Sequence, residues 1–297
     1  MRKPFRSRIA GAALIAFTLV AAACGSGDDP TITVGSTNFG EQLIVGEIYA
    51  SALEAEGFDV DRKFNLGNRE VVNPALKSGE IDLLVEYTGT LLTFEGGTSS
   101  TDSAQTWTDL NDVLRGVGLV AYDYAPAQDK NGFVVTAATA QRLGVSKVSD
   151  LAAYNGELVL GGPAECPSRE FCLIGLQEVY GLQFSEFKAL DVGGPLTVAA
   201  LEGEEIDVGL LFTSDGTIVA KGFVLLEDDR NLQPAENIVP VVNKKTADAY
   251  GDRLADVLNG VSARLNTVEI QELNRRYGED ASDPTALAKE WLSINGF

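Results

Sequence analysis

Histidine is absent from this chain of 297 residues. That removes the commonest general base and the commonest zinc ligand, so neither a Ser–His–Asp nor a Cys–His site can be built. Basic residues are scarce, with Lys and Arg numbering 23 against 43 Asp and Glu. Such a surface repels nucleic acid and anionic lipid, and no nucleic-acid partner is expected. Cysteine is limited to Cys24, Cys166 and Cys172. Their spacing is not that of a metal site, and no metal or other cofactor is expected. A phosphate loop and a carboxylate dyad are also lacking, so the chain does not read as an enzyme. The apolar run Ile9–Ala23 is too short and too rich in alanine for a membrane span.

That run has another use. It follows a basic start, Arg2, Lys3, Arg6 and Arg8, and ends Ala21-Ala22-Ala23-Cys24. This resembles the bacterial lipoprotein signal, in which the cysteine becomes the lipidated first residue. The usual Leu three places before the cysteine is Ala21 here, with Leu19 and Val20 upstream. The alternative is an ordinary secretory signal cut near Ala23, which leaves Cys24 a free thiol. Residues 1–24 are therefore expected to be a signal and residues 25–30 a solvated tether. The chain is then extracytoplasmic and held to the cell membrane by acyl chains, of which two hold firmly and one weakly. Without the signal, 19 basic residues face 43 acidic ones. The remaining length, about 270 residues, is enough for two lobes. Cys166 and Cys172 share one short loop, and outside the cell such a pair is expected to form a disulfide.

One phrase occurs twice. Ala75-Leu76, Glu80-Ile81-Asp82 and Tyr87-Thr88 align without gaps on Ala200-Leu201, Glu205-Ile206-Asp207 and Phe212-Thr213, 125 positions later. Each reads as helix end, acidic turn, buried strand, then an aromatic where the strand gives way to a loop. Open α/β sheets hold ligands at such strand ends. The register predicts two similar lobes, each bringing a ring, Tyr87 or Phe212, to a shared cleft. The alternative is that Gly-Glu-Ile-Asp is simply a common helix-to-strand turn.

The pattern before the repeat is βαβαβ: strands at residues 31–36, 58–66 and 81–85, with a helix from Asn38 to about Glu56 and a second after Arg69. The turn-rich Ala125–Gly132 leads to a new strand at residues 133–136, and strands near 157–162 and 206–212 repeat the plan. A helix is expected from Leu173 to Tyr180, and Pro240-Val241-Val242 reads as a strand returning to the first lobe. Three helices close the chain, the last with Asp283 as N-cap, Pro284 in its first turn and Gly296 as stop. The fold class is α/β, a two-lobed periplasmic-binding-protein fold of type II character. Each lobe is a mostly parallel sheet flanked by helices, and two crossovers join them. Residues 31–132 and 237–297 form one lobe and the inserted residues 133–236 the other. Such proteins close like a hinge around a ligand.

Five motifs fall in order: Gly35-Ser36-x-Asn38-Phe39-x-Glu41-Gln42, Leu66-Gly67-Asn68, Glu86-Tyr87-Thr88-Gly89-Thr90, Thr213-Ser214-Asp215-Gly216 and Leu226-Glu227-Asp228-Asp229. Together they resemble the substrate-binding lipoproteins of osmoprotectant ABC transporters. The resemblance covers residues 31–297. It implies a compatible solute such as glycine betaine, choline or carnitine as ligand, and an ABC permease as partner. It further implies a box of rings for the quaternary ammonium, with Tyr87 as one wall and Thr90, Phe39 and Gln42 nearby. Phe133, with Asn131 beside it, and Phe212 stand where the family usually has Tyr. A fourth family ring falls near Glu236, where this chain has none, and Glu70 takes a position often polar or acidic. The box therefore reads as depleted, with Glu70 and Glu236 offering charge in place of rings. Arg169 or helix N-termini near Ser36–Glu41 and Thr88–Leu91 could meet a ligand carboxylate. The rival solutes are an amino acid, a polyamine or an aromatic compound.

Overall fold

The computed structural model describes Met1 and residues 30–297; the expected signal, Cys24 and nearly all of the tether lie outside these residues. Two five-stranded sheets organise the rest. The first uses β1 (Ile32–Gly35), β2 (Val60–Lys63), β3 (Leu83–Tyr87), β4 (Leu119–Ala121) and, far along the chain, Ile238–Asn243. The second uses β5 (Asn131–Val135), β6 (Val159–Pro163), β7 (Glu186–Leu190), β8 (Val208–Phe212) and β9 (Val224–Leu225). The segment Ile238–Asn243 is β10. The orders are β2-β1-β3-β10-β4 and β7-β6-β8-β5-β9, one topology used twice.

In each sheet three strands pair in parallel, and the fourth and fifth pair antiparallel in sequence. Four strands thus run one way, and only β10 or β5 runs against them. The reversed strand in each sheet is the one that arrives through a crossover. The sheets are mostly parallel in direction, although half of their pairings are antiparallel. β5 starts at Asn131, two residues before the expected strand.

The 125-residue repeat is built into both sheets. Asp82 Oδ2 accepts from the Thr33 amide at 2.9 Å, and Asp207 Oδ2 accepts from the Val159 amide at 3.0 Å. Each carboxylate clamps the start of the neighbouring strand. The amides of Glu80 and Ile81 reach back to the Ala75 carbonyl, and those of Glu205 and Ile206 to the Ala200 carbonyl. A Cβ on Gly35 would meet Ile81 Cδ1 at 2.5 Å, and one on Gly161 would meet Ile206 Cδ1 at 2.6 Å. Both isoleucines are buried in their cores, so glycine is what lets strand and isoleucine approach.

The helices cover the sheets. The first lobe carries α1 (Gly40–Ala55), α2 (Arg69–Ser78), α3 (Thr88–Phe94) and α4 (Ser103–Gly116). The second carries α5 (Ala137–Leu143), α6 (Gly175–Glu178), α7 (Pro195–Glu202) and α8 (Thr217–Ala220). The chain closes with α9 (Lys244–Ser262), α10 (Thr267–Gly278) and α11 (Pro284–Asn295). α9, α10 and α11 pack on α1 in the core of the first lobe. As expected, Asp283 caps α11 by accepting from the Ala286 amide, and Gly296 ends it in the left-handed conformation. The expected helix over residues 173–180 is formed up to Glu178, its first two residues within a π-helical turn and the rest as α6. The break in helical backbone lies just before it, at Phe171 and Cys172, where the disulfide ring closes. β7 carries no clear alternation and was not expected. Among the described residues no helix is long and apolar enough to cross a membrane.

The two crossovers run side by side. Asp129 N donates to Glu236 O at 2.9 Å, Ile238 N to Ala127 O at 3.0 Å, and Gln128 bridges Asn237 antiparallel.

Candidate functional site

The carboxyl ends of β1, β3, β6 and β8 meet at a cavity of about 380 Å³, within the range for small-molecule sites. Its wall takes Thr37, Asn38 and Phe39 after β1, Tyr87 and Thr90 at and after β3, Phe212 at the end of β8, and the Glu165–Cys172 loop after β6. Both lobes contribute, as the repeat requires.

Tyr87 and Phe212 do reach one cleft, but a third ring stands between them. Phe39 stacks on Phe212 with centroids 5.1 Å apart and on Tyr87 at 6.1 Å. Phe94, at the end of α3, and Phe171, inside the disulfide loop, also line the cavity. Phe171 is fixed through its carbonyl, which accepts from Asn131 Nδ2 at 3.0 Å and Gln233 Nε2 at 2.9 Å. Five rings therefore line the space, while Glu236 stands where a fourth family ring was expected to be missing. Phe133 is not among them. It is 3 % exposed in the second lobe's core, two residues further along β5 than Asn131 on the same face, opposite Leu210. Phe94 and Phe171 lie outside the five motifs, and only their places at a helix end and in a disulfide ring hinted at them.

Tyr87 is more than a cleft ring. It is 7 % exposed and packs in the first lobe's core. Its hydroxyl donates to Glu41 Oε1 at 2.6 Å and accepts from Gln42 Nε2 at 3.4 Å. The ring thus serves the core as well as the cavity wall. Glu41, in the first turn of α1, is buried and joins the lobes. Its Oε2 lies 2.6 Å from Ser214 Oγ and accepts from Asn274 Nδ2 at 2.7 Å. Ser214 Oγ also lies 2.7 Å from Asp129 Oδ1. One hydroxyl proton cannot serve two carboxylates, so one acid of this trio keeps a proton. Burial, followed by the charge of Glu41, pushes Asp129 well above the usual carboxylate range. Burial also raises Glu41, against the hydrogen bonds of Ser214, Tyr87 and Asn274.

The turn after Phe212 docks on α10. Gln271 Nε2 donates to Thr213 O at 3.1 Å, Asn274 Nδ2 to Ser214 O at 3.1 Å, and a Cβ on Gly216 would meet Arg275 Cβ at 2.7 Å. The Thr-Ser-Asp-Gly motif is thus a seam between lobes.

Six acids line the cavity, Glu70, Glu86, Asp129, Glu165, Glu170 and Glu236, against two arginines. Both arginines are engaged. Arg69 forks onto both Glu86 oxygens at 2.7–3.2 Å and gives Nη2 to Thr90 Oγ1 at 2.9 Å. Sequence reasoning passed over this buried pair. The signals were a carboxylate ending a buried strand, which demands a partner, and an arginine opening a helix against its dipole. Arg169 was expected to meet a ligand carboxylate. It lies on Glu70 at 2.7 Å instead, with its guanidinium 5.9 Å from the Phe94 ring centre, joining the lobes at the mouth. The start of α3 is likewise occupied, because the Thr88 amide goes to Asn237 O and the Gly89 amide to Glu236 Oε2. The Cys166–Cys172 disulfide is formed and braces the loop that carries Arg169 and Phe171.

Residues 30–293 match the family described as the substrate binding domain of ABC-type glycine betaine transport systems. A glycine-betaine-binding protein of Pseudomonas aeruginosa is 27 % identical over 282 residues, covering 91 % of this chain and 89 % of that one. The glycine betaine-binding protein YehZ of Escherichia coli is 26 % identical over 278 residues, covering 90 % and 91 %. Among solved structures, one described as a glycine betaine/carnitine/choline ABC transporter superposes with a TM-score of 0.71 at 23 % identity. It covers 89 % of this chain and 98 % of the other.

Proposed function

The chain belongs to the family of substrate-binding domains of ABC-type glycine betaine transport systems, and on that premise we propose which solute it holds and how. It is the extracytoplasmic receptor of an ABC importer, and its partners are a small solute and a permease. The solute we propose is a compact alkylammonium cation of the glycine betaine, choline and carnitine class, held between residues 31–132 with 237–297 and residues 133–236. One observation carries this reading: five rings from two lobes enclose a cavity whose acids outnumber its arginines, both already paired. Ring faces attract a cation by roughly 0.5–2 kcal/mol each, more when water is excluded. Relatives bearing the name of glycine betaine-binding proteins support the same class.

In this reading Tyr87, Phe39 and Phe212 form the inner walls, Phe94 and Phe171 the outer ones, and Gln42, Thr90, Asn131 and Glu236 the polar contacts. Glu70 and Arg169 close the mouth. A solute touching both lobes gains contacts only when they meet, so its affinity favours the closed form that a permease can recognise. Nothing in this scheme turns over the solute, and we read the protein as a receptor, not an enzyme.

Thermal unfolding with a panel of choline, glycine betaine, carnitine, proline and a polyamine tests this. A solute that binds only the folded state stabilises it by about 2.7 kcal/mol at a hundredfold excess over Kd. A raised midpoint with the alkylammonium solutes alone is the expected result; a shift with proline alone would overturn the reading. Acylation of Cys24 is part of the same proposal. Wild type is expected in the membrane fraction and Cys24→Ala in the soluble one, and equal release of both would remove the anchor.

A further inference from the structure

Glu236 is the residue that a box of rings leaves unexplained. It stands on the second crossover and lines the cavity, with its side chain 2 % exposed. Its Oε2 accepts from the Gly89 amide at 3.2 Å and from Thr90 Oγ1 at 3.4 Å. Its Oε1 is buried and has no partner. Among the described residues, Thr37 is the only other residue lining the cavity that holds such an orphaned side-chain oxygen. Leaving a buried polar oxygen unpaired costs about 1–3 kcal/mol, and more for a charged one. Arg69 stands near enough to act on Glu236 by charge, but its hydrogen bonds go to Glu86 and Thr90, and Arg169 is paired with Glu70. An unsatisfied group in a binding cavity is best understood as waiting for a partner that the ligand brings.

We propose that Glu236 Oε1 accepts a hydrogen bond from the bound solute, so that the cavity selects a cation bearing an N–H or O–H group over one that offers only C–H groups. This deepens the reading above and rests on it. A trimethylammonium head offers only C–H groups, which the rings can take but which leave the carboxylate oxygen unpaired. A hydroxyl or a protonated amine on the same cation supplies the missing donor. A ligand acceptor, such as a carboxylate, is disfavoured there by the acids around the cavity and by the engagement of both arginines. Burial pushes the Glu236 carboxyl up to about 8. A cation beside it favours the ionised form, and the ligand's donor then takes the place of the lost proton. Sites built to bond a donor reject analogues that lack it, because the site's own group is left unpaired.

The test is calorimetric titration of the purified protein with choline and with propyltrimethylammonium, which has the same shape but no O–H, alongside glycine betaine. Choline is expected to bind about tenfold more tightly than propyltrimethylammonium, the worth of one hydrogen bond to a charged group. In Glu236→Gln the amide oxygen takes the Gly89 and Thr90 donors and turns its N–H2 to the orphaned position. The ratio should then fall several-fold, because choline's hydroxyl can still accept from that N–H2 but no longer meets a charged acceptor. Glu236→Asp, which keeps the charge but shortens the reach, should lower the ratio too. Equal affinities in the wild type, or a tenfold ratio that survives both substitutions, overturns the assignment. Tighter binding of glycine betaine than choline, retained in Glu236→Gln, also overturns it, by showing that the oxygen faces a ligand acceptor. Failure of all three probes to bind the wild type removes the alkylammonium reading itself, and this inference with it.

Discussion

The two strand ends that carry Tyr87 and Phe212 share a frame but hold their rings in different ways. The frame is the same to the residue: an aspartate clamping the next strand, a turn folded back on an alanine carbonyl, and a glycine making room for an isoleucine. Even the left-handed turn is kept, at Gly79 in one lobe and at Glu204, its register equivalent, in the other. Beyond the frame the lobes diverge. Tyr87 is nearly enclosed and bonded to Glu41, whereas Phe212 is half-buried and held by packing on Phe39. After Tyr87 the chain turns into α3, and after Phe212 it docks on α10. One frame used twice thus holds its two rings in different roles: one fixed wall, and one attached to the seam between lobes.

The largest way to break this contrast is Glu41→Ala. It leaves the Tyr87 hydroxyl without its 2.6 Å acceptor and takes one carboxylate from Ser214 and Asn274. A loss of about 2–4 kcal/mol in urea unfolding is expected. An unchanged midpoint would mean the lobes do not depend on this seam.

The buried acids of the cavity and the seam also titrate. Glu236 has a folded value of about 8, above its ordinary 4.5, and Asp129 is raised as well. Between the ordinary and the raised value the folded state binds more protons than the unfolded state. Their contribution to stability is therefore fully present below about pH 4.5 and is lost as pH rises toward 8. With no histidine in the chain, no ordinary side chain confuses this window. Urea unfolding at pH 5 and pH 8 should differ by about 2–4 kcal/mol, and by less in Glu236→Gln. A flat profile would place these acids in a wetter setting than their burial implies.

The smallest effect sharpens the frame itself. Glu204 has φ of +56°, where its counterpart Gly79 has +77°. Glu204→Gly should raise stability by roughly 0.5–1 kcal/mol, because glycine meets no Cβ penalty there. Gly79→Ala should lower it by a similar amount, and thermal midpoints of both variants check the pair.

Much of this was legible in the sequence, because the frame is local. An Ile-Asp phrase at a fixed offset specifies turn, strand and strand end by short-range rules, and the paired rings came with it. The seam was not legible in the same way. Glu41, Asp129, Ser214 and Asn274 meet across separations of up to 233 residues, and no periodicity marks a carboxylate that shares a proton. Phe133 shows the same limit from the other side. Its position after the crossover looked like Asn131's, yet two residues along a strand separate a cavity wall from a core. Phe94 and Phe171 reach the cavity from a helix end and a disulfide loop, where no aromatic pattern exists to be read.

The central claim is that rings from both lobes hold one cationic solute. Its most direct test is calorimetric titration of wild type and Phe212→Ala with the solute that gives the largest thermal shift. The account predicts binding of one solute per chain, weakened about tenfold in Phe212→Ala by loss of one ring in a desolvated site, with the fold retained. Unchanged affinity in a folded Phe212→Ala protein would contradict it, and would leave the ligand to the first lobe alone.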